Sequence, residues 1–316
     1  MSEPEITIIV VSYNTRAMTL ECLRSIRDQT RAPHEVVVID NASQDGSPEV
    51  IAREHPQVRL LAEHENHGFA RANNIAALVA RGDYLLLLNP DTVVLDGAVD
   101  RLLAFARARP AARIWGGRTV FADGRLNPSS CWHRMTLWNL FCRAAGLTAV
   151  APGSALFNSE AYGGWDRCGE REVDIVSGCL LMIARADWEM LGGFDERFTM
   201  YGEEADLCLR ARGCGLRPRV TGAAEIIHHG GASETVRADK IVRLFRTKRA
   251  LIGLHMPRWQ RPAARLLFDA WPLSRVLVHG LRARLTGRAG HREAAAMWRD
   301  VWARRAEWRA GLDSRA

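Results

Sequence analysis

No stretch of the 316 residues approaches the roughly 18 to 20 consecutive apolar residues that cross a bilayer. If a membrane matters, the protein lies on it. The opening segment MSEPEITIIVVSYN has acids where a secretory leader carries Lys or Arg, and only six residues of apolar run before Ser12, which argues against secretion. Cysteine is scarce: seven residues, an odd number, with no C-x-x-C pair. Neither a structural zinc site nor a disulfide framework is expected, and a reduced, cytosolic protein is the simplest reading. Both common nucleotide fingerprints are missing. Where a dinucleotide fold would carry G-x-G-x-x-G, or a phosphate loop G-x-x-x-x-G-K-S/T, the turn after the first apolar run reads SYNTRA. Internal repeats and low-complexity linkers are absent too.

What is present is 47% apolar residues, ample for a core, and a divided charge. The net +7 hides a basic tail: Lys240 to Ala316 holds 18 basic against 5 acidic residues, leaving 25 against 31 in the first 239. No recognised nucleic-acid motif accompanies that charge, so nucleic acid is not the expected partner.

Along the chain, ITIIVVSYN reads as a buried parallel strand, and AMTLECLRSIRDQ as a helix with Leu20, Leu23 and Ile26 on one face, capped by Thr15 or Thr19. EVVVID is a second strand running into NASQDGS; a helix, the short strand VRLLA, the glycine loop and helix NHGFARANNIAALVARG, and the strand DYLLLLNPD follow. This alternation predicts a doubly wound α/β sheet, whose strand C-termini form the ligand crevice and bring Ser12 to Asn14, Asp40 and Asp91 to one edge. Between about residues 96 and 175 the pattern weakens and assigns no topology. It returns at REVDIVSGCLLMIARADWEMLGGFDERFTMYGEEADLCLRARGCGL and AAEIIHHGGAS, and past residue 235 the chain reads as basic helices.

Asp40 and Asn41 can present a carboxylate and an amide to a pyrimidine edge, although DNASQDGS also makes a turn whose own side chains satisfy the backbone. Asn89 and Asp91 flank Pro90 and offer oxygen ligands suited to Mg2+ or Mn2+ bound with a diphosphate; NPD is equally a good turn. His228 or His229 could add an imidazole. Asp195, Glu196, Glu203, Glu204 and Asp206 crowd twelve residues around glycines, and clustered carboxylates raise one another's proton affinity as a general base near neutral pH requires.

In order, VVSYN, VIDNASQDGS, NHGFARANN, LLNPDTVV, the long VSGCLLMIARADW…GCGL segment and IIHHGGAS resemble the inverting glycosyltransferase family 2, in its rhamnosyltransferase-like branch, over about residues 6 to 233. The resemblance implies a GT-A fold, a Rossmann-like mixed sheet flanked by helices, over residues 1–235. Its nucleotide-binding half would be about 1–95 and its acceptor half about 96–235, with a basic amphipathic helical extension at 236–316. It implies a nucleotide-sugar donor, dTDP-rhamnose preferred and a UDP-sugar next. Asp40 would read the base with Ser12, Asn14 and Asn41 near it, and Asn66, Gly68 and Asn74 would line the nucleotide pocket. Asp91 would bind the Mg2+ or Mn2+ that bridges the diphosphate, with Asn89 where many members carry a first Asp, and His228 supporting metal or phosphate. Glu204, in the place of the family's Asp, would take the acceptor proton, with Glu203 second and Asp206 stabilising the helix.

In the tail, Trp298 and Trp302 with Met297 and Val301 suggest an amphipathic face on an anionic membrane, at its inner side, where a polyprenyl-diphosphate-linked or other glycan acceptor would be met. The same helices could instead pack on the body or on a second copy as a homodimer. The Asn89 and Glu204 departures leave open a nucleotide-sugar-binding scaffold without catalysis. A nucleotidyltransferase would need a basic glycine loop after the first strand, where SYNTRA offers only Arg16.

Overall fold

The β-branched run at the start forms β1 (Ile6–Ser12), buried at every position, as a strand covered on both faces must be. In the computed structural model, which describes residues 3–230 and 237–312, the chain continues through α1 (Arg16–Gln29), β2 (His34–Asp40), α2 (Ser47–Glu54), β3 (Arg59–Ala62), α3 (Gly68–Leu78), β4 (Tyr84–Leu88), β5 (Thr92–Val94) and α4 (Ala98–Ala108). Then come β6 (Ile114–Val120), β7 (Cys131–Trp132), α5 (Leu137–Ala144), α6 (Leu147–Val150), β8 (Arg171–Glu172), β9 (Ile175–Val176) and β10 (Leu180–Ala184). The remainder is α7 (Arg185–Leu191), α8 (Glu203–Gly213), β11 (Arg219–His228), α9 (Arg237–His255), α10 (Arg261–Thr286), α11 (Ala289–Ala303) and α12 (Arg305–Arg309).

Two units result: Met1–Trp132 with Asp166–Ser233, and His133–Trp165 with Glu234–Ala316. The first holds a nine-stranded sheet in the order β3-β2-β1-β4-β10-β6-β11-β5, with β8 added to β11. Strands β3, β2, β1 and β4 run parallel. β10 lies antiparallel to both β4 and β6, and β11 is parallel to β6 but antiparallel to β5, so the sheet is mixed. Leu20, Leu23 and Ile26 of α1 are buried on the expected face and join Ile8, Val10, Leu86 and Leu88 in the core. Burying each such side chain contributes about 1.5–3 kcal/mol. Thr15 occupies the N-cap position of α1, but its hydroxyl lies 3.1 Å from Thr19 Oγ1 instead of capping the helix.

The second unit is helical. Its N-terminal part, to which periodicity assigned no topology, contributes α5, opened by a capping box between Thr136 and Asn139, and packs Leu140 with Phe245, Phe268 and Trp308 of the tail. The ring centroid of Phe245 is 5.1 Å from Phe268 and 4.8 Å from Trp271. Val301 is fully buried, and Trp298 and Trp302 pack on this core, so the face expected to meet a membrane faces other helices instead. Among the described residues no helix is long and apolar enough to cross a membrane.

Glu160, buried in this unit, accepts from Arg143 Nε at 2.5 Å and pairs with Lys248. Burial alone would raise its carboxyl, yet the two cations outweigh it and hold the pKa at about 2. The folded value lies below the unfolded one, so the pair's stabilisation is present above the ordinary glutamate pKa and is lost as pH falls toward 2. Glu160→Gln strands two half-buried cations and should cost about 3–5 kcal/mol. The shift of the chemical-denaturation midpoint measures it, and a change under about 1 kcal/mol would contradict the pairing.

Candidate active site

The site grows from the C-terminal ends of the parallel strands. Ser12 of β1 stands in register with Asp40 of β2, and Val10 with Leu88 of β4, so the turn Asn89-Pro90-Asp91 leaves the sheet beside the end of β1. Thr92 Oγ1 donates to Asn89 O (2.7 Å) and closes that turn. The turn redirects the chain so that β5 pairs with β11, Thr92 opposite His228, and that register sets His228 against Asp91. His228 Nε2 is 3.4 Å from Asp91 Oδ1, while Gly230 N donates to Asp91 Oδ2 (3.1 Å) and His229 N to Asp91 O (3.0 Å). Gly231 to Ser233 of IIHHGGAS lie outside the described residues.

Burial is the largest influence on Asp91 and pushes its pKa up, but the bond to His228 and the charge there outweigh it and the carboxyl stays below the ordinary range. Burial likewise opposes charge on His228; bonds to Asp91 and Cys179 reverse the effect and carry its pKa up to about 10. Two residues that sequence reasoning did not single out hold this histidine: Ser129 Oγ is 3.4 Å from Nδ1, and Asn127 Nδ2 donates to His228 O (3.1 Å). No local pattern marks them, because both lie about a hundred residues from His228 in the chain.

β10 carries the site toward α8. Leu180 stands opposite Leu88, and Asn89 N donates to Cys179 O (3.4 Å). A β-carbon added at the preceding Gly178 would lie 3.8 Å from Glu204 Cβ and 3.6 Å from the Phe69 ring, so Glu204 borders the same strand end. Gly202, at φ +89°, turns the chain into α8 and puts Glu203 and Glu204 in its first turn, where the helix dipole favours carboxylates. Glu203 is buried and its Oε2 has no hydrogen-bond partner among the described residues. Burial first, then the charge of Glu204, holds its pKa well above the ordinary carboxylate range. Glu203 therefore favours its protonated form, beside a half-buried Glu204 whose Oε2 is itself buried.

The other acids of the cluster have structural partners. Asp206 accepts from Arg210 Nε (2.7 Å), whose Nη1 and Nη2 donate to Leu191 O and Gly193 O. Asp195 is bonded to Arg197, and Glu196 to Asn74. Crowding of five acids thus reduces to one adjacent pair.

The asparagines expected at the nucleotide are also mostly engaged. Asn14 Oδ1 accepts from Gln44 N (2.8 Å) and Asn66 Oδ1 from Gly68 N (2.9 Å). Asn41 donates to Gly68 O and accepts from His67 N; Asn74 donates to Phe194 O and accepts from Phe194 N. Their amides shape the loops around the pocket. Two glycines permit this. Gly68 (φ +75°) would place a β-carbon 2.7 Å from Thr199 O, and Gly193 (φ +67°) one 2.5 Å from Asn74 Oδ1. Ser12 is fully buried, 3.2 Å from Thr19 Oγ1, and also bonds Asp40. Asp40 itself accepts from Ser43 N through Oδ1, while its buried Oδ2 has no partner among the described residues; burial raises its pKa.

A similar orphan bears on the metal. Asn89 Oδ1 is buried with no donor among the described residues, two positions from the Asp91 carboxylate on the same turn. Among the described residues no three His, Cys, Asp or Glu side chains could hold a metal by themselves. One carboxylate and one amide oxygen, completed by phosphate and water, is a donor set for a hard divalent cation that arrives with a diphosphate. Asp91 and Asn89 fit such an ion.

Known proteins share the fold and the sequence family. Solved structures share the fold: a mannosyltransferase from Pyrobaculum calidifontis, in complex with GDP-Man and Mn2+, aligns over 97% of this chain and 87% of its own at a TM-score of 0.61 and 19% identity. TarS 1-349 of S. aureus, in complex with UDP-GlcNAc, aligns over 96% and 92% at 0.51 and 14%. In sequence, the chain is 29% identical over 240 residues (70% of this chain, 75% of the relative) to the N-acetylglucosaminyl-diphospho-decaprenol L-rhamnosyltransferase of Mycobacterium tuberculosis. It is 30% identical over 248 residues, 75% of this chain but 18% of the relative, to the O-antigen biosynthesis protein RfbC of Myxococcus xanthus. The family model for glycosyl transferase family 2 matches residues 7–167, just over half of the chain and the whole run from β1 through the Asp91 turn. With a mixed GT-A sheet and that match, the chain belongs to glycosyl transferase family 2.

Proposed function

We propose that this glycosyltransferase moves L-rhamnose from dTDP-rhamnose, with inversion, onto a hydroxyl of a glycan or lipid-linked saccharide used in cell-surface polysaccharide synthesis. The observation that carries it is the Glu203–Glu204 pair beside the Asp91 turn: a buried acid that favours its protonated form next to a half-buried second carboxyl. Asp40 Oδ2, buried without a partner among the described residues, accepts the N3–H of the thymine or uracil base. Asp91 and Asn89 hold Mg2+ or Mn2+ with the donor diphosphate. Such an ion offsets the charge that grows on the leaving group. Glu204 takes the proton of the acceptor hydroxyl as it attacks the anomeric carbon from the face opposite the diphosphate, and inversion follows. The rhamnosyltransferase name of the mycobacterial relative supports the sugar and a prenyl-diphosphate-linked acceptor. The Mn2+ in the mannosyltransferase complex supports the ion.

The reaction belongs at the inner face of an anionic membrane. Leu266, Leu277, Leu281 and Leu285 of α10 are 58 to 76% exposed, and Arg284 and Arg288 accompany them. That combination suits lipid headgroups better than water.

One screen tests both halves on the purified protein. Thermal shift with Mn2+ should show dTDP stabilising most, UDP less and GDP least, and phosphatidylglycerol vesicles should sediment the chain. Ligand at a hundred times its Kd stabilises by about 2.7 kcal/mol. No stabilisation by any of the three nucleotides would overturn the proposal; preference for UDP or GDP would replace the donor alone.

A further inference from the structure

The second unit contains a groove of about 1030 Å³ lined by α10 and α11, with residues of the α5–α6 turn and of the start of α9. Trp271, Val278, Met297, Trp298 and Ile241 give it an apolar floor. Arg275, His279 and Arg282 line it from one face of α10, at positions i, i+4 and i+7. Arg143 lines it too, stacked over Trp271 at 4.8 Å and neutralised by Glu160.

The charge on the α10 wall is not neutralised. Arg275 donates to Arg143 O (3.2 Å), and among the described residues no carboxylate pairs with it or with Arg282. Burial, then Arg143 and Arg282, push the pKa of Arg275 down, the sign of a cation held among cations. His279 Nδ1 is buried with no hydrogen-bond partner among the described residues. Burial and the charges of Arg282, Arg275 and His291 favour its neutral form, and a neutral imidazole still has one N–H to donate. Glu293 is the one acid on the lining.

A small soluble anion would leave the Trp and Met floor wet, and a neutral hydrocarbon would leave the charges of Arg275 and Arg282 without a counter-charge and His279 Nδ1 without a partner. A molecule carrying phosphate at one end and a hydrocarbon chain at the other satisfies both walls at once. We infer that this groove binds a prenyl diphosphate, its phosphates against Arg275, Arg282 and His279 and its isoprenoid chain along Trp271, Val278, Met297 and Trp298. Guanidinium forks suit phosphate oxygens, and the floor offers the flat apolar area that unsaturated chains cover. The inference deepens the acceptor side of the proposed function and rests on it only for its meaning, since binding here requires no donor and no transfer.

The test is equilibrium binding of farnesyl diphosphate to the full chain, without donor or divalent cation, read by calorimetry and by tryptophan fluorescence. Saturable binding is expected, with inorganic pyrophosphate and farnesol each at least about tenfold weaker, the scale of one charge-assisted hydrogen bond or a few buried methylenes. Arg282→Glu and Arg275→Gln should each weaken farnesyl diphosphate at least about tenfold with unchanged circular dichroism. Glu204→Gln should leave binding as it is, which separates failure here from failure of the transfer mechanism. Pyrophosphate binding as tightly as farnesyl diphosphate would overturn the inference in favour of a soluble anion. Equal binding by the arginine variants would place the ligand elsewhere, and affinity seen only with phosphatidylglycerol vesicles would assign the arginines to the membrane surface.

Discussion

Glu204→Gln should lower the rate of sugar transfer by about 10²–10⁴-fold, the range a general base supplies, and leave nucleotide binding intact. The side chain keeps its size and loses only its ability to accept a proton. Its neighbour should behave differently. Glu203 is buried, and with Glu204 charged beside it already favours the protonated form, so Glu203→Gln replaces one neutral group by another. Its rate should stay within about tenfold of the unsubstituted chain, less than a base contributes. Initial rates at saturating donor separate the two variants. If Glu203→Gln is the more damaging substitution, the roles are reversed; if neither matters, the base lies elsewhere. The unsubstituted protein must turn over in this assay, since donor binding without transfer would favour a scaffold.

Asp91→Asn should abolish the part of nucleoside-diphosphate stabilisation that depends on Mn2+, and slow transfer by several kcal/mol, on the order of a thousandfold. Asparagine can still accept the Gly230 N–H that Asp91 Oδ2 receives, so the turn should persist. What disappears is the one negative charge on the Asn89-Pro90-Asp91 turn. Thermal shift with dTDP, with and without Mn2+, reads the loss directly. A variant that keeps the full metal-dependent shift would remove Asp91 from the ion.

The strand ends were legible because each rests on a short-range pattern. The β-branched run of β1, the apolar run of β4 and the acids that follow β2 and β4 needed only the rule that parallel strands present their C-terminal ends to ligand. That rule places Ser12 and Asp40 at one edge, and the structure adds that they stand in register. The preference for His228 over His229 rested on the family motif alone; the pairing of β5 with β11 supplies the physical reason, and that contact joins segments far apart in the chain. Asn74 and Phe194 are 120 residues apart, so nothing near Asn74 announces that its amide is occupied. The acidic cluster misled for a related reason. Spacing shows that five carboxylates are close, but not that Arg197, Arg210 and Asn74 engage three of them. In the tail, amphipathic periodicity marks a face without naming what covers it, and Trp298 and Trp302 turned out to face the unit's own core while the leucines of α10 stayed exposed.

The proposed mechanism requires a single pocket at the ends of β1, β2 and β4 that would read a base, hold a diphosphate with its ion, and turn Glu204 toward the acceptor. A crystal structure with dTDP and Mn2+, with the ion located by anomalous scattering, tests this most directly. The predicted result is a manganese peak bonded to Asp91, thymine N3–H donating to Asp40 Oδ2, and Glu204 on the open side of the diphosphate. Nucleotide bound away from Asp40, or a manganese peak with no bond to Asp91, would contradict it.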